Sequence, residues 1–195
     1  MSVRRQLHRA DVWLFAEVAR LHTPFWDREL RHLSRSADHG RLWMGVAAGL
    51  ALAGRRDAAR DGMVALALAS LTTNALLKPL GGRRRPDRDA HDVPIARHVK
   101  MPSSTSFPSG HSASALAFST AAARDLPPAA AIPLRGLGLL VAFTRVHVGV
   151  HYPGDVLAGG LAGWCAARVA PRIGDAAVRR LRARRPRTAS CRSRA

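Results

Sequence analysis

Five apolar runs, separated by short charged joints, set the pattern of the chain: Leu42 to Gly54, Gly62 to Leu77, Ser112 to Ala123, Ala129 to Thr144 with Arg135 inside it, and Val156 to Ala167. Alanine, leucine and glycine dominate them, and none sustains an alternation of period two, so each is predicted to be a helix rather than a strand. The stretch "RRQLHRADVWLFAEVARLH" near the start mixes charged and large apolar residues in the manner of an amphipathic helix. The end, "RRLRARRPRTASCRSRA", is polar and basic throughout. The expected organisation is a basic amphipathic segment at 1–41, a helical domain at 42–170 and a basic, disordered tail at 171–195. The expected fold is all-α, a multi-helix bundle of about five or six apolar helices.

Whether such a bundle spans a membrane is not decided by run length. None of the five reaches the roughly eighteen uninterrupted apolar residues of a simple span, and buried helices of a soluble bundle can look the same. Five Gly/Ala-rich runs in 195 residues nevertheless favour a polytopic membrane protein, where small residues let helices approach closely. If each run crosses once, the joint Arg55 to Asp61, the joint at Arg124 and Asp125, and the C-terminal tail share one side. Their arginines place that side in the cytoplasm. Lys78 to His111 and Arg145 to Asp155 then share the extracytoplasmic side. The N-terminal helix either crosses as well or lies on the membrane surface. Asp11, Glu17 and Arg20 interrupt what would be the apolar core of a secretory signal.

Charge narrows the partners. The formal net charge is +18, almost all of it from arginine, since Lys78 and Lys100 are the only lysines. That balance suits nucleic acid, anionic lipid or a phosphorylated substrate. The basic tail offers no aromatic platform for stacking bases, so contact with anionic lipid is expected there and a nucleic-acid partner is not. Two cysteines, Cys165 and Cys191, make neither a disulfide framework nor a zinc site.

Three clusters carry candidate chemistry. In "KPLGGRRRP", Lys78 precedes a proline, so the second apolar helix is expected to end at this lysine and pass into a Gly81-Gly82 loop with Arg83, Arg84 and Arg85. A lysine point charge and the planar fork of Arg85 suit one phosphate, although a basic membrane-flanking stop looks the same in isolation. In "SFPSGHSASALAF", Ser109, Gly110 and His111 stand at a helix start, where free N–H groups favour an anion. In "TRVHVGVHYPGD", Arg145, His151 and Asp155 precede the last apolar run, with Asp155 in the first helical turn and within reach of His151. A histidine oriented by a carboxylate, a second histidine at a helix start and three cations are the parts needed for phosphoryl transfer through a covalent intermediate. His147, His91 and His98 have no place in this scheme and read as structural or loop residues.

At these residues the chain resembles the type 2 phosphatidic acid phosphatase superfamily, which includes lipid phosphatases, class A acid phosphatases and vanadium haloperoxidases. The resemblance rests on Lys78, six residues, Arg85-Pro86; then Pro108-Ser109-Gly110-His111; then Thr144-Arg145, five residues, His151, three residues, Asp155. It covers roughly Leu42 to Ala170. Thr144 is a departure, standing where the family usually has serine. The segment "RHVKMPSSTSFPSGHSASALAF" is also similar to actinobacterial members, some of which act on polyprenyl-linked phosphates.

The resemblance implies a membrane lipid phosphate phosphatase that removes a terminal phosphomonoester through a phosphohistidine. Phosphatidate, a polyprenyl phosphate or pyrophosphate, and a polyprenyl-phosphoryl sugar phosphate all qualify. His151 would be the nucleophile, Asp155 its orienting carboxylate and His111 the general acid. Lys78, Arg85, Ser109, Gly110 and Arg145 would hold the phosphoryl oxygens. No metal or other cofactor and no obligate protein partner is implied. A soluble acid phosphatase or a vanadate-dependent haloperoxidase would use the same constellation. A non-catalytic basic protein that binds membrane or nucleic acid would not need two histidines and an aspartate at these spacings.

Overall fold

In the computed structural model, which describes residues 3–184, every regular element is helical, and no strand occurs among the described residues. Two helices, α1 (Val3–Arg20) and α2 (Pro24–Ser36), precede a bundle of α3 (Arg41–Leu52), α4 (Arg56–Leu71), α6 (Gly110–Ala122), α7 (Pro128–His147) and α8 (Pro153–Arg184). The all-α expectation holds. One described helix, Pro128–His147, is long and apolar enough to cross a membrane by length and composition, so the count of five or six spans is not reproduced by that measure.

Helix α6 is the centre of the bundle, packed between α4, α7 and α8. It can be central because its buried face is nearly all alanine: Ala113, Ala115, Ala117, Ala121 and Ala122, with Phe118 as the one large side chain. Phe118 meets Trp43 of α3 at 5.2 Å between ring centroids. On α8, glycines at positions four apart let the backbones touch. A Cβ added at Gly159 would lie 2.2 Å from the Ser109 carbonyl oxygen, and one at Gly163 2.2 Å from that of Ala113. Interhelical contact this close is the use of small residues in tightly packed bundles.

The two ends of the bundle differ in chemistry. At one end Asp61, fully buried, pairs with Arg60 at 2.8 Å and Arg124 at 3.5 Å, while Arg60 also reaches Asp175 at 3.0 Å. At the other end lie the three candidate clusters. The Arg60 and Arg124 joints therefore lie at the end of the bundle opposite the candidate clusters.

Three expectations change. Helix α4 does not stop at Lys78; it widens into a π-turn, Thr72–Leu77, and adds the short helix α5 (Lys78–Gly81) before turning at Gly82, φ +51°. A π-turn shifts the hydrogen-bond register just where Pro79 has no N–H to give, so the helix passes the proline by one turn. The tail is helical as far as Arg184, because α8 continues in one piece through Pro171; residues 185–195 lie outside the described residues. The N-terminal segment, set apart in the sequence, is packed onto the bundle: Phe15 and Ala19 of α1 are buried with Val146 and Tyr152.

Candidate active site

The third cluster is shaped by the end of α7. The helix stops at His147, and Gly149 takes φ +72°, a left-handed value that glycine adopts without strain. The chain then folds back so that the N–H groups of Val150 and His151 both donate to the Arg145 carbonyl, at 3.2 and 3.1 Å. Arg145 and His151 are thereby locked together by backbone. Thr144, fully buried, donates its hydroxyl to the Val141 carbonyl at 2.7 Å, a bond along its own helix that serine and threonine make alike.

Asp155 sits in the first turn of α8, fully buried, and its oxygens are divided between two tasks. Oδ2 accepts the Tyr152 N–H at 2.9 Å and the Ser106 hydroxyl, and lies 3.6 Å from His151 Nδ1. Oδ1 accepts from Arg83 at 3.0 Å. A carboxylate beside Nδ1 favours the tautomer with its proton there, which leaves Nε2 with the lone pair. That Nε2 stands 3.3 Å from Arg85 Nη1. Burial, outweighing the Asp155 contact and helped by Arg145 and Arg85, pushes the His151 pKa down to about 4. The imidazole is therefore neutral near pH 7, the form a nucleophile needs.

Arg85 is held extended by backbone oxygens: Nε donates to Ser104 at 2.9 Å, Nη1 to Val150 at 2.9 Å and Nη2 to Thr105 at 3.2 Å. Lys78 reaches toward the same place. Its Nζ donates to the Ser104 hydroxyl at 3.5 Å and stands 3.9 Å from where a Gly110 Cβ would be. Burial and then the Arg85 charge lower the lysine pKa from its ordinary value, as expected of cations gathered in one place.

At the start of α6, the Ser109 N–H donates to the Asp155 carbonyl at 3.0 Å, which ties the second cluster to the third. The Ser109 hydroxyl is buried and accepts from Ser112 N at 3.4 Å and Ser112 Oγ at 2.9 Å. It is the helix N-cap, and as such it leaves the first-turn N–H groups at Gly110 and His111 pointing out of the helix end. His111 is partly exposed, with Nε2 2.8 Å from Asp38 Oδ1. The structure thus brings Lys78, Arg85, Gly110, His111, Arg145, His151 and Asp155 to one end of the bundle, with the Ser109 hydroxyl turned into the helix cap.

A sequence model of the PAP2 superfamily matches residues 60–179, the stretch that carries all three clusters. The chain belongs to the PAP2 superfamily. It is 35% identical over 164 residues to the decaprenylphosphoryl-5-phosphoribose phosphatase of Mycobacterium tuberculosis, a match spanning 82% of this chain and 86% of that protein. It is 41% identical over 96 residues to the lipid A 1-phosphatase of Rhizobium etli, spanning 46% of this chain and 39% of that one. Among solved structures, Aquifex aeolicus LpxE superposes with a TM-score of 0.71 at 22% identity, covering 83% of this chain and 94% of its own. The first transmembrane PAP2 type phosphatidylglycerolphosphate phosphatase from Bacillus subtilis superposes with a TM-score of 0.66, also at 22% identity, over 88% and 87%. These two likenesses establish the fold. As a PAP2 member this chain is a phosphatase of phosphomonoesters.

The remaining contacts of this PAP2 site come from residues that carry no motif. Arg83, one of the arginines after the Gly81-Gly82 turn, bridges Asp155 and Asp11 of α1, at 2.6 Å to the latter, and lies 4.1 Å over the Tyr152 ring. Asp11 also accepts the Gly154 N–H at 2.6 Å, at the start of α8. Ser34 of α2 accepts from Arg145. Arg88 donates to the Gly149 and Val99 carbonyls at 3.3 and 2.9 Å and so fastens the loops on either side of the cage. His147 is structural: its Nε2 is 3.1 Å from Asp27, which also accepts from the buried Arg97 at 2.9 Å. His91 packs edge-on against Phe15, and His98 bonds the Val93 carbonyl within its loop.

Proposed function

We propose that this PAP2 protein is a multi-pass membrane phosphatase that removes the terminal phosphate of a lipid-linked phosphomonoester through a phosphohistidine at His151. The observation that carries the reading is the placement of His151 Nε2 3.3 Å from the Arg85 guanidinium with Asp155 behind Nδ1. A phosphoryl group held by Arg85 is then delivered to the ring nitrogen that has the lone pair. In the first step Nε2 forms the N–P bond as the P–O bond to the lipid alcohol breaks, and His111 gives its proton to the departing oxygen. In the second step water attacks phosphorus, its proton goes to His111, and the N–P bond breaks to release inorganic phosphate. Lys78, Arg85, Arg145 and the Gly110 N–H stabilise the charge on the equatorial oxygens, the part that magnesium takes in other phosphoryl-transfer sites.

The exterior supports residence in hydrocarbon. Leu139, Leu157 and Leu161 on α7 and α8 are 60%, 73% and 63% exposed, while Asp61, Thr73, Ser112 and Thr144 are buried inside. Large apolar side chains outward and small or polar ones inward is the arrangement of a lipid-facing bundle. With the positive-inside rule, the Arg55 and Arg124 end faces the cytoplasm and the site faces the extracytoplasmic leaflet. Trp13, Leu14, Phe25 and Trp26 are exposed on α1 and α2, which supports a position of these helices along the interface on the site side. Among lipid phosphates, a polyprenyl-phosphoryl sugar phosphate is favoured, because the mycobacterial relative named for such a substrate matches over 82% of the chain.

Phosphate release by the purified protein in detergent tests the reading across phosphatidate, phosphatidylglycerol phosphate, a polyprenyl pyrophosphate and a polyprenyl-phosphoryl sugar phosphate. The sugar phosphate is expected to be hydrolysed fastest, and His151→Ala to lose on the order of several powers of ten in rate. A His151→Ala protein as active as the parent would end the nucleophile assignment.

A further inference from the structure

We infer that Asp38, in the corner between α2 and α3, is a positioning residue that keeps the proton on His111 and aims the ring at the leaving oxygen. The inference rests on the reading of His111 as general acid. Asp38 Oδ1 is 2.8 Å from His111 Nε2, although 73 residues separate them in the chain. Asp38 lies outside the three motifs and outside the stretch matched to the PAP2 superfamily.

The charges around His111 explain why such a residue is needed. A general acid must hold its proton at working pH. Burial first, then Arg145 from α7 and Lys78 from α5, hold the His111 pKa below its ordinary value, and the contact with Asp38 works against all three. Arg145 and His39 also act on Asp38. Asp38 is the one carboxylate that faces His111 among the charges acting on it. The hydrogen bond to His111 is the largest cause holding the Asp38 carboxyl below its ordinary value, and linkage makes that bond mutual: it favours the ionised carboxylate and the protonated ring together.

The corner is built to hold this carboxylate still. His39 and Gly40 both take left-handed backbone, φ +57° and +74°, and for the histidine that is an uncommon conformation. The turn is closed by Gly40 N donating to Ala37 at 3.2 Å. Arg41 clamps it from outside, donating to the Asp38 carbonyl at 3.2 Å and to the Arg35 carbonyl at 3.2 Å. Ser34, one turn earlier on α2, accepts from Arg145. The same corner therefore touches both the acid and one of the phosphate cations. With Nε2–H held by Asp38, Nδ1–H is the proton donated to the leaving oxygen, and the neutral ring keeps its tautomer ready to take a proton from water at Nδ1.

The test uses two probes that differ in their need for an acid: dodecyl phosphate, whose alkoxide must be protonated, and 4-nitrophenyl phosphate, whose phenolate leaves without a proton. kcat/KM is measured against pH for the parent, Asp38→Asn, Asp38→Glu and His111→Ala, with thermal unfolding to confirm that each is folded. Asp38→Asn is expected to lose about 10- to 100-fold on dodecyl phosphate, the range for lost outer partners of an imidazole, and less than about 3-fold on 4-nitrophenyl phosphate. Its basic limb on dodecyl phosphate moves to lower pH, and Asp38→Glu recovers part of both effects. Equal losses on the two probes, or a basic limb that does not move, overturn the inference. If His111→Ala shows the split between probes and Asp38→Asn does not, Asp38 is excluded and the acid assignment stands. If neither shows it, the acid assignment itself falls, and the inference with it.

Discussion

Replacing Gly159 by alanine tests whether the catalytic geometry depends on how closely α6 and α8 approach. A Cβ at this position would lie 2.2 Å from the Ser109 carbonyl oxygen, 3.1 Å from its carbon and 3.3 Å from its nitrogen. Ordinary contact begins near 3.4 Å, so the two helices must separate locally by roughly 1 Å, and the obstacle is backbone rather than a side chain that could turn away. The displaced residue is the N-cap of α6. Its N–H is bonded to the Asp155 carbonyl at 3.0 Å, and His111 follows it by two positions. A shift of that size in reacting groups costs about 100-fold in rate, and overpacking costs about 1–3 kcal/mol of stability. Gly163→Ala provides the comparison, since its Cβ would meet the Ala113 carbonyl at the same 2.2 Å but one turn further from the site. Gly45→Ala is the neutral control, with nothing within 4 Å. In phosphate-release assays with unfolding temperatures recorded in parallel, Gly159→Ala and Gly163→Ala are expected to lose similar stability. Only Gly159→Ala loses the larger factor in kcat. Wild-type kcat in Gly159→Ala, with normal stability, would refute the claim that this contact sets the position of His111 against Asp155.

Two further outcomes follow from buried charges. His151 has its pKa lowered from 6.5 to about 4, so its neutral form is the one the fold favours. The stability it contributes is fully present above pH 6.5 and is lost as pH falls toward 4. Its ring resonances in NMR spectra of the detergent-solubilised protein should stay those of neutral imidazole down to about that pH, and titration near 6.5 would contradict the burial argument. Arg97 is 1% exposed and pairs with Asp27 at 2.9 Å, a contact that ties the loop before the second cluster to α2. Arg97→Met leaves that carboxylate buried with no cation of fixed charge, only the Thr23 hydroxyl and His147, and should cost about 3–5 kcal/mol. The fall in Tm is then roughly 10 °C for a chain of this size, and an unchanged Tm would show that the pair is not needed.

Local spacing determined much about this protein. The apolar runs of alanine, leucine and glycine specify helices, because their patterns are read over one or a few turns. Lys78 with Arg85, Pro108 through His111, and Arg145 with His151 and Asp155 each lie within a dozen residues, so each cluster is visible in one window of sequence. The helical continuation through Lys78 was not legible there, since it depends on a π-turn absorbing the proline. Neither was the helical course of the chain from residue 171 to Arg184, where composition reads as a solvated tail while α8 runs on through it.

Only the tertiary structure decided what surrounds the motifs. Asp38 on His111, Ser34 on Arg145, and Asp11 with Arg83 on Asp155 join residues 73, 111 and 72 positions apart, and nothing in local periodicity marks any of them. They meet because an alanine-rich α6 and glycines on α8 allow a tight bundle, against whose end α1 and α2 then pack. Sequence thus specified the candidate reacting groups, each of which sits in a short motif. Packing chose their partners, because side chains distant in sequence share a hydrogen bond only where the backbone has already brought them within 3 Å.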